Sequence, residues 1–292
     1  MDETDTPAAA TPAPPAAPAP APAKPRSELR DTLTFLVKLV LIVGVFRSFF
    51  LSPFYIPSES MLPRLYIGDY LFVSKWSYGY SRWSLPLGLP LIPGRIFGST
   101  PARGDIVVFR GPPGDDHDVI KRVIGVPGDS IQVQHGQVIL NGQAIPKVPV
   151  ADFTIPLTPN YNAEANCAAE FQDSDPATHQ PLCRYKQFRE TLPAVNGKPA
   201  ISYTVLDRGE MPDRDDTDVY NVPAGHIFVM GDNRDDSADS RFPAPQGMGY
   251  VPLDRIEGKA LFSFWSTDGN AQWLLPWTWF SAARWSRMGK PY

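Results

Sequence analysis

The chain has 292 residues, a formal net charge of -4 and 43% hydrophobic residues. That length accommodates a membrane anchor plus one or two folded domains, and that hydrophobic fraction excludes a multi-span transporter. No stretch concentrates Lys and Arg, so nucleic-acid binding has no electrostatic support. Two cysteines and four scattered histidines make no cluster with zinc spacing, and neither a metal nor another cofactor is expected.

Residues 1–31 form an Ala/Pro-rich tail ending in Lys24, Arg26 and Arg30. Such a composition cannot bury a core and predicts disorder. Leu33 to Leu51 reads LTFLVKLVLIVGVFRSFFL, interrupted only by Lys38 and Arg47. As a helix it would span ~28 Å, close to a bilayer's hydrocarbon thickness. A transmembrane helix over 32–51 is therefore expected. No A-x-A follows to mark a cleaved leader, and a core helix would not be apolar nearly all round. Lys24, Arg26, Arg30 and Lys38 favour a cytoplasmic N-terminus, against which Arg47 argues mildly.

From residue 52 the pattern changes to short β-like runs, among them DYLFVSKW (69–76), GDIVVFRG (104–111), HDVIKRVIGVPGD (117–129), HIFVMGDN (226–233) and GKALFSFW (258–265). Asn141-Gly142 marks a hairpin. There is no βαβ rhythm, so the body is expected to be mostly antiparallel β. Residues 151–218 are polar and loop-rich and read as an insertion between two parts of a core, 52–150 and 219–292. The insertion holds Cys167 and Cys183. If it is exported they pair, closing a loop worth roughly 3 kcal/mol in the chain-entropy model; two free thiols are the alternative.

The common hydrolase signatures G-x-S-x-G and H-E-x-x-H are missing, as are the P-loop and the dinucleotide fingerprint. The acidic run GDNRDDSADS fails the calcium-loop pattern, with Arg234 and Ser237 at positions that need a ligand and a glycine. What remains is a serine-rich turn just after the span, Pro57-Ser58-Glu59-Ser60-Met61-Leu62-Pro63. A serine hydroxyl needs a base, and no histidine has a convincing context. A neutral lysine can serve. In Val119-Ile120-Lys121-Arg122-Val123, strand alternation places Lys121 on one face with Val119 and Val123. An apolar face strips water from the ammonium and lowers its pKa from about 10.4. Spacing alone leaves open that Lys121 is an edge-strand charge facing solvent.

Four motifs in order, PSESMLP (57–63), GDIVVF (104–109), IKRVIGVPGD (120–129) and GDNRDDSADSR (231–241), together with the preceding span, resemble the type I signal (leader) peptidases of bacteria. The resemblance covers the anchor and most of residues 52–265; the insertion and the aromatic C-terminal part match loosely. It implies a Ser-Lys endopeptidase with an antiparallel β catalytic domain like that of the self-cleaving repressors. Ser60 stands at the nucleophile, Lys121 at the general base, Ser58 at an oxyanion-hole hydroxyl and Ser237 at a hydroxyl that orients the lysine. Asp232, Asp239, Arg122 and Arg241 stand at scaffold ion pairs. Arg64 departs from the small residue usual after Pro63.

The same resemblance implies pre-protein substrates cleaved after A-x-A-like sites. Shallow apolar pockets suit small side chains, and Phe54, Ile56, Met61, Leu65, Val119 and Ile120 fit as liners; ordinary core packing is the alternative for each. An extended substrate would add beside 117–121 and 54–58. The expected partners are signal peptides and the lipid bilayer, and nothing demands more than a monomer. The expected location is a bacterial inner membrane, single-pass, with the catalytic part on the outer side. Aromatics such as Trp273, Trp277, Trp279 and Phe280 suggest an apolar surface that dips into the outer leaflet, with core packing as the alternative. A self-cleaving repressor would need a DNA-binding headpiece where this chain has a tail and a span. A tethered but inactive binding domain is the other alternative, and only an assay separates it.

Overall fold

The computed structural model describes residues 28–85, 88–114, 117–194 and 199–292. Most of the expected disordered tail, residues 1–27, lies outside the described residues. The first element is helix α1, Glu28–Phe49, with Glu28 and Asp31 in its first turn and Arg47 in its last, charges that suit the helix dipole. It starts four residues before the expected span, because those acids favour a helix N-terminus. It ends two residues earlier, because Leu51 already pairs with Ser74 in a sheet. At 22 residues and a mean hydropathy of 1.9, α1 is long and apolar enough to cross a bilayer, spanning ~33 Å.

From Val43 onward the chain forms one compact unit. Its centre is a seven-stranded sheet. The strands are β1 (Leu51–Tyr55), β2 (Asp69–Ser74), β3 (Ile106–Arg110), β4 (Asp118–Gly125), β5 (His226–Met230), β6 (Val251–Pro252) and β7 (Ile256–Ser266). Their spatial order is β1-β2-β7-β3-β4-β5-β6, and every neighbouring pair is antiparallel. Pro53 is tolerated because β1 is an outer strand whose far side needs no ladder donors.

β3 reads as an almost unbroken apolar run, the signature of a strand covered on both faces, and β4 is buried from Ile120 to Gly125 despite carrying Lys121 and Arg122. Ile106, Val108 and Ile120 pack in one cluster with Ile56, Met61, Leu65, Leu71 and Val73. Val107, Phe109 and Val123 pack in another with Ile227, Val229 and Ile256. The period of two sorts successive residues onto the two faces. The expected Asn-Gly hairpin is present: Asn141 and Gly142 both have positive φ and join 137–140 to 143–144.

A second sheet is built around a 12-residue strand, Pro181–Leu192. It pairs antiparallel with 147–149, 153–156, 172–174 and 201–207. The sequence reading of a loop-rich stretch underestimates this order. The strand alternates poorly (PLCRYKQFRETL), and its partners are only three to seven residues long. Cys167 and Cys183 are joined by a disulfide, with Cα atoms 6.1 Å apart. This region shares its core with the rest of the unit: Leu62 and Ile67 pack in one cluster with Phe153, Ile155, Tyr161 and Tyr185.

Candidate active site

The turn after β1 carries the serines. Its apolar residues fix it: Met61, Leu62 and Leu65 are wholly buried. Leu62 N–H donates to the Glu59 carbonyl and Leu65 N–H to the Met61 carbonyl, each at 2.9 Å. Ser60 is thus held on a short, anchored turn, 8% exposed. Its carbonyl accepts from the Asn233 N–H at 3.1 Å, and the Glu59 carbonyl accepts from Asn233 Nδ2 at 3.2 Å.

Lys121 reaches this turn from β4. Its Nζ lies 2.7 Å from Ser60 Oγ and donates to the Ile120 carbonyl at 3.1 Å. The side chain is buried. Burial lowers its pKa to about 8, against the opposing pull of Asp239, Asp232 and Asp236. Desolvation penalises the ammonium, and the carboxylates limit the drop. The structure therefore brings Ser60 and Lys121 together with the lysine dry, and the solvent-facing reading of Lys121 fails.

Ser58 Oγ is 3.4 Å from Ser60 Oγ, so a second hydroxyl stands beside that of Ser60. Ser237 is buried, but its Oγ makes no hydrogen bond, so the expected contact with the Lys121 amine is not formed. It does border the site. A Cβ added at Gly231 would lie 2.4 Å from Ser237 Oγ and 2.5 Å from the Ser60 carbonyl oxygen. Only glycine lets the chain past β5 approach the serine turn so closely.

The loop 231–241 is held by buried ion pairs. Arg122 grips Asp232 bidentately at 2.7 and 2.6 Å, donates to the Gly104 carbonyl at 2.8 Å and stacks over Tyr203. Arg241 pairs with Asp239 at 2.9 Å through two nitrogens. A third pair, Arg234–Glu190, ties the loop to the long 181–192 strand and was not foreseen. Of the expected pocket liners, Ile56, Met61, Leu65 and Ile120 share one cluster, with Phe54 packed against it. Val119 packs against the cluster on the other face. Sequence reasoning also missed Asn233 and Gly231. Both stand in the quoted GDNRDD motif, but Asn233 meets the serine turn only at backbone carbonyls, once through its own N–H and once through its amide, and Gly231 acts by a missing side chain, neither of which residue type advertises. Among the described residues, no group of His, Cys, Asp or Glu is arranged to hold a metal.

Residues 29–265 match the family model described as signal peptidase, peptidase S26. The chain belongs to this signal peptidase family. Signal peptidase I of Rickettsia akari is 35% identical over 237 residues, covering 80% of this chain and 78% of that one. Signal peptidase I of Rickettsia typhi is 35% identical over 241 residues, 81% and 79% of the two chains. Signal peptidase I of Rickettsia prowazekii is 37% identical over 234 residues, 78% and 77%. A solved signal peptidase I from Enterococcus faecalis superposes weakly, at a TM-score of 0.26 and 23% identity over 55% of this chain and 97% of that one. As a member of the family the chain is a serine endopeptidase, and its apolar helix α1 is consistent with membrane anchoring.

Proposed function

We propose that this peptidase removes N-terminal signal peptides from exported pre-proteins by acyl-enzyme chemistry, with Ser60 as nucleophile and Lys121 as general base. The observation that carries the reading is the 2.7 Å separation of Lys121 Nζ and Ser60 Oγ around a lysine whose pKa is lowered to about 8. A neutral amine accepts the hydroxyl proton as Oγ attacks the scissile carbonyl. The Ser60 N–H and the Ser58 hydroxyl stabilise the developing oxyanion. The resulting ammonium gives its proton to the leaving amine. Lys121 then activates the water that hydrolyses the ester. Ser237, buried beside the serine turn with its hydroxyl unpartnered, is the hydroxyl available to orient the amine during these transfers.

An extended substrate has a place to pair. β5 covers β4 only along Arg122 to Gly125, which leaves Asp118 to Lys121 unpaired on that side, beside the dyad. β1 is an outer strand. Strand addition at these edges sets the backbone. The apolar cluster of Ile56, Met61, Leu65 and Ile120, with Phe54, supplies the apolar wall that small side chains of A-x-A-like sites would meet. We further read residues 219–292 with 52–150 as the catalytic core and 151–218 as an insertion. The chain works as a single-pass monomer of a bacterial inner membrane with the core outside the cytoplasm, where a disulfide persists. The test is incubation of the purified full-length chain with a pre-protein bearing an A-x-A site. Cleavage after that site, reduced by a factor on the order of 10³ or more in Ser60→Ala and in Lys121→Ala, is expected. Undiminished cleavage by either variant overturns the mechanism.

A further inference from the structure

A cavity of about 340 Å³ lies apart from the dyad; none of Ser58, Ser60, Lys121 and Ser237 lines it. Four cations do, namely Arg64, Arg122, Arg189 and Lys259, against one lining carboxylate, Asp105. Two of the cations are compensated: Arg122 by Asp232 at 2.6 Å and Lys259 by Asp105 at 2.6 Å. Arg64 and Arg189 have no salt bridge among the described residues. Arg64 donates instead to the Pro291 carbonyl, with its guanidinium 5.4 Å from the Tyr292 ring centroid. Burial, and then the charge of Arg122, depress its pKa. A guanidinium is thus held partly out of water beside another cation, in a chain whose overall charge is negative. An anion between the two would relieve that crowding. Neutral donors complete the wall, since Ser202 and Thr204 line it.

We propose that this cavity binds a phosphate-type oxyanion through Arg64 and Arg189. Planar guanidinium forks match phosphate oxygens bidentately, and two uncompensated forks facing one cavity match a group with several charged oxygens. The volume, at the lower end of the range for small-molecule sites, exceeds a bare ion and suits a phosphate carrying a short stem. A free phosphate compound and the headgroup of an anionic phospholipid share this chemistry. Arg64 is also the residue that departs from the small side chain expected after Pro63, and the cavity gives that departure a purpose.

The experiment titrates inorganic phosphate into the full-length chain in a neutral detergent, followed by calorimetry and phosphorus NMR. One saturable site is expected. Arg64→Gln and Arg189→Gln should each weaken it by about tenfold or more, while Arg189→Lys, which keeps the charge, loses less. Arg189 is an exposed strand residue, so its variants keep the wild-type melting temperature and report on binding rather than folding. Vesicles of phosphatidylglycerol that displace the phosphate, where neutral glycolipid vesicles do not, assign the site to a headgroup. Displacement by neither assigns it to a soluble phosphate. Absence of saturable phosphate binding overturns the proposal. So does binding that is unchanged in the double Gln variant, or a site that takes only acidic peptides.

Discussion

Lys121 carries opposite demands. The proposed mechanism needs its amine neutral, and a pKa of about 8 sets where that happens. The expected pH profile of kcat/KM rises about tenfold per pH unit below 8 and levels above it. A profile already flat at pH 6 would remove Lys121 as the titrating base. For stability the sign runs the other way from a salt-bridged lysine. The folded-state value lies below the unfolded value of 10.5, so between pH 8 and 10.5 the unfolded chain binds more protons and stability rises with pH. The burial penalty is in full force below pH 8 and amounts to roughly 3 kcal/mol at 1.36 kcal/mol per unit. Lys121→Met removes the charge and keeps the bulk, so it should abolish cleavage and yet raise the urea midpoint at pH 7; the two measurements together separate a base from a packing residue. The meeting of Ser60 and Lys121 was legible in the sequence because their motifs lie in order along the chain. The hold of Asn233 on the serine turn was less so, since one of its two contacts is made by a backbone N–H, which looks the same in every residue.

At the scale of elements, the serine turn is pinned from two sides. Met61 and Leu65 enter the core of the seven-stranded sheet, while Leu62 enters the cluster that holds Cys167 and Cys183. Asn166, next to that disulfide, donates to the Glu59 carboxylate at 3.2 Å, and its own carbonyl accepts from the hydroxyls of Tyr161 and Tyr185. Burial, opposed by the turn's own backbone and by Asn166 and reinforced by Asp236, leaves the Glu59 pKa raised. The second sheet therefore braces the Ser60 turn. Leu62→Ala should cost about 2–5 kcal/mol of stability and lower kcat more than it raises KM, because it displaces Ser60 without touching the substrate edges; an unchanged kcat would show that the brace is dispensable. Removing the disulfide, which closes a separation of 16 residues, should cost about 3 kcal/mol, read as a lower unfolding midpoint in reductant. Elements with a long apolar run or a sharp turn signal, α1 and the Asn-Gly hairpin, were legible in the sequence. The 181–192 strand was not, because it alternates poorly and its four partners are only three to seven residues long, too short to show a period of their own.

For the whole molecule, the question is what the exposed aromatics contact. Trp273 is 88% exposed, Leu274 91% and Trp277 66%, and Phe280 and Trp285 stack nearby. The core-packing reading of this C-terminal stretch does not hold for those side chains. A contiguous apolar surface of this kind marks an interaction site, and tryptophan at a polar–apolar boundary fits the interfacial zone of a bilayer. A peptidase whose substrates are anchored by their own apolar segments gains by having its catalytic unit rest on the same surface, since cleavage sites emerge there. If that surface seats in the interface, brominated lipids should quench tryptophan fluorescence of the reconstituted full-length chain, and Trp273→Ala with Trp277→Ala should lose a large share of that quenching. Activity on a membrane-inserted pre-protein should fall in the same double variant while cleavage of a short soluble peptide stays level, because Ser60 and Lys121 are untouched. Equal quenching in wild type and variant would place these side chains in water and leave the surface to some other partner.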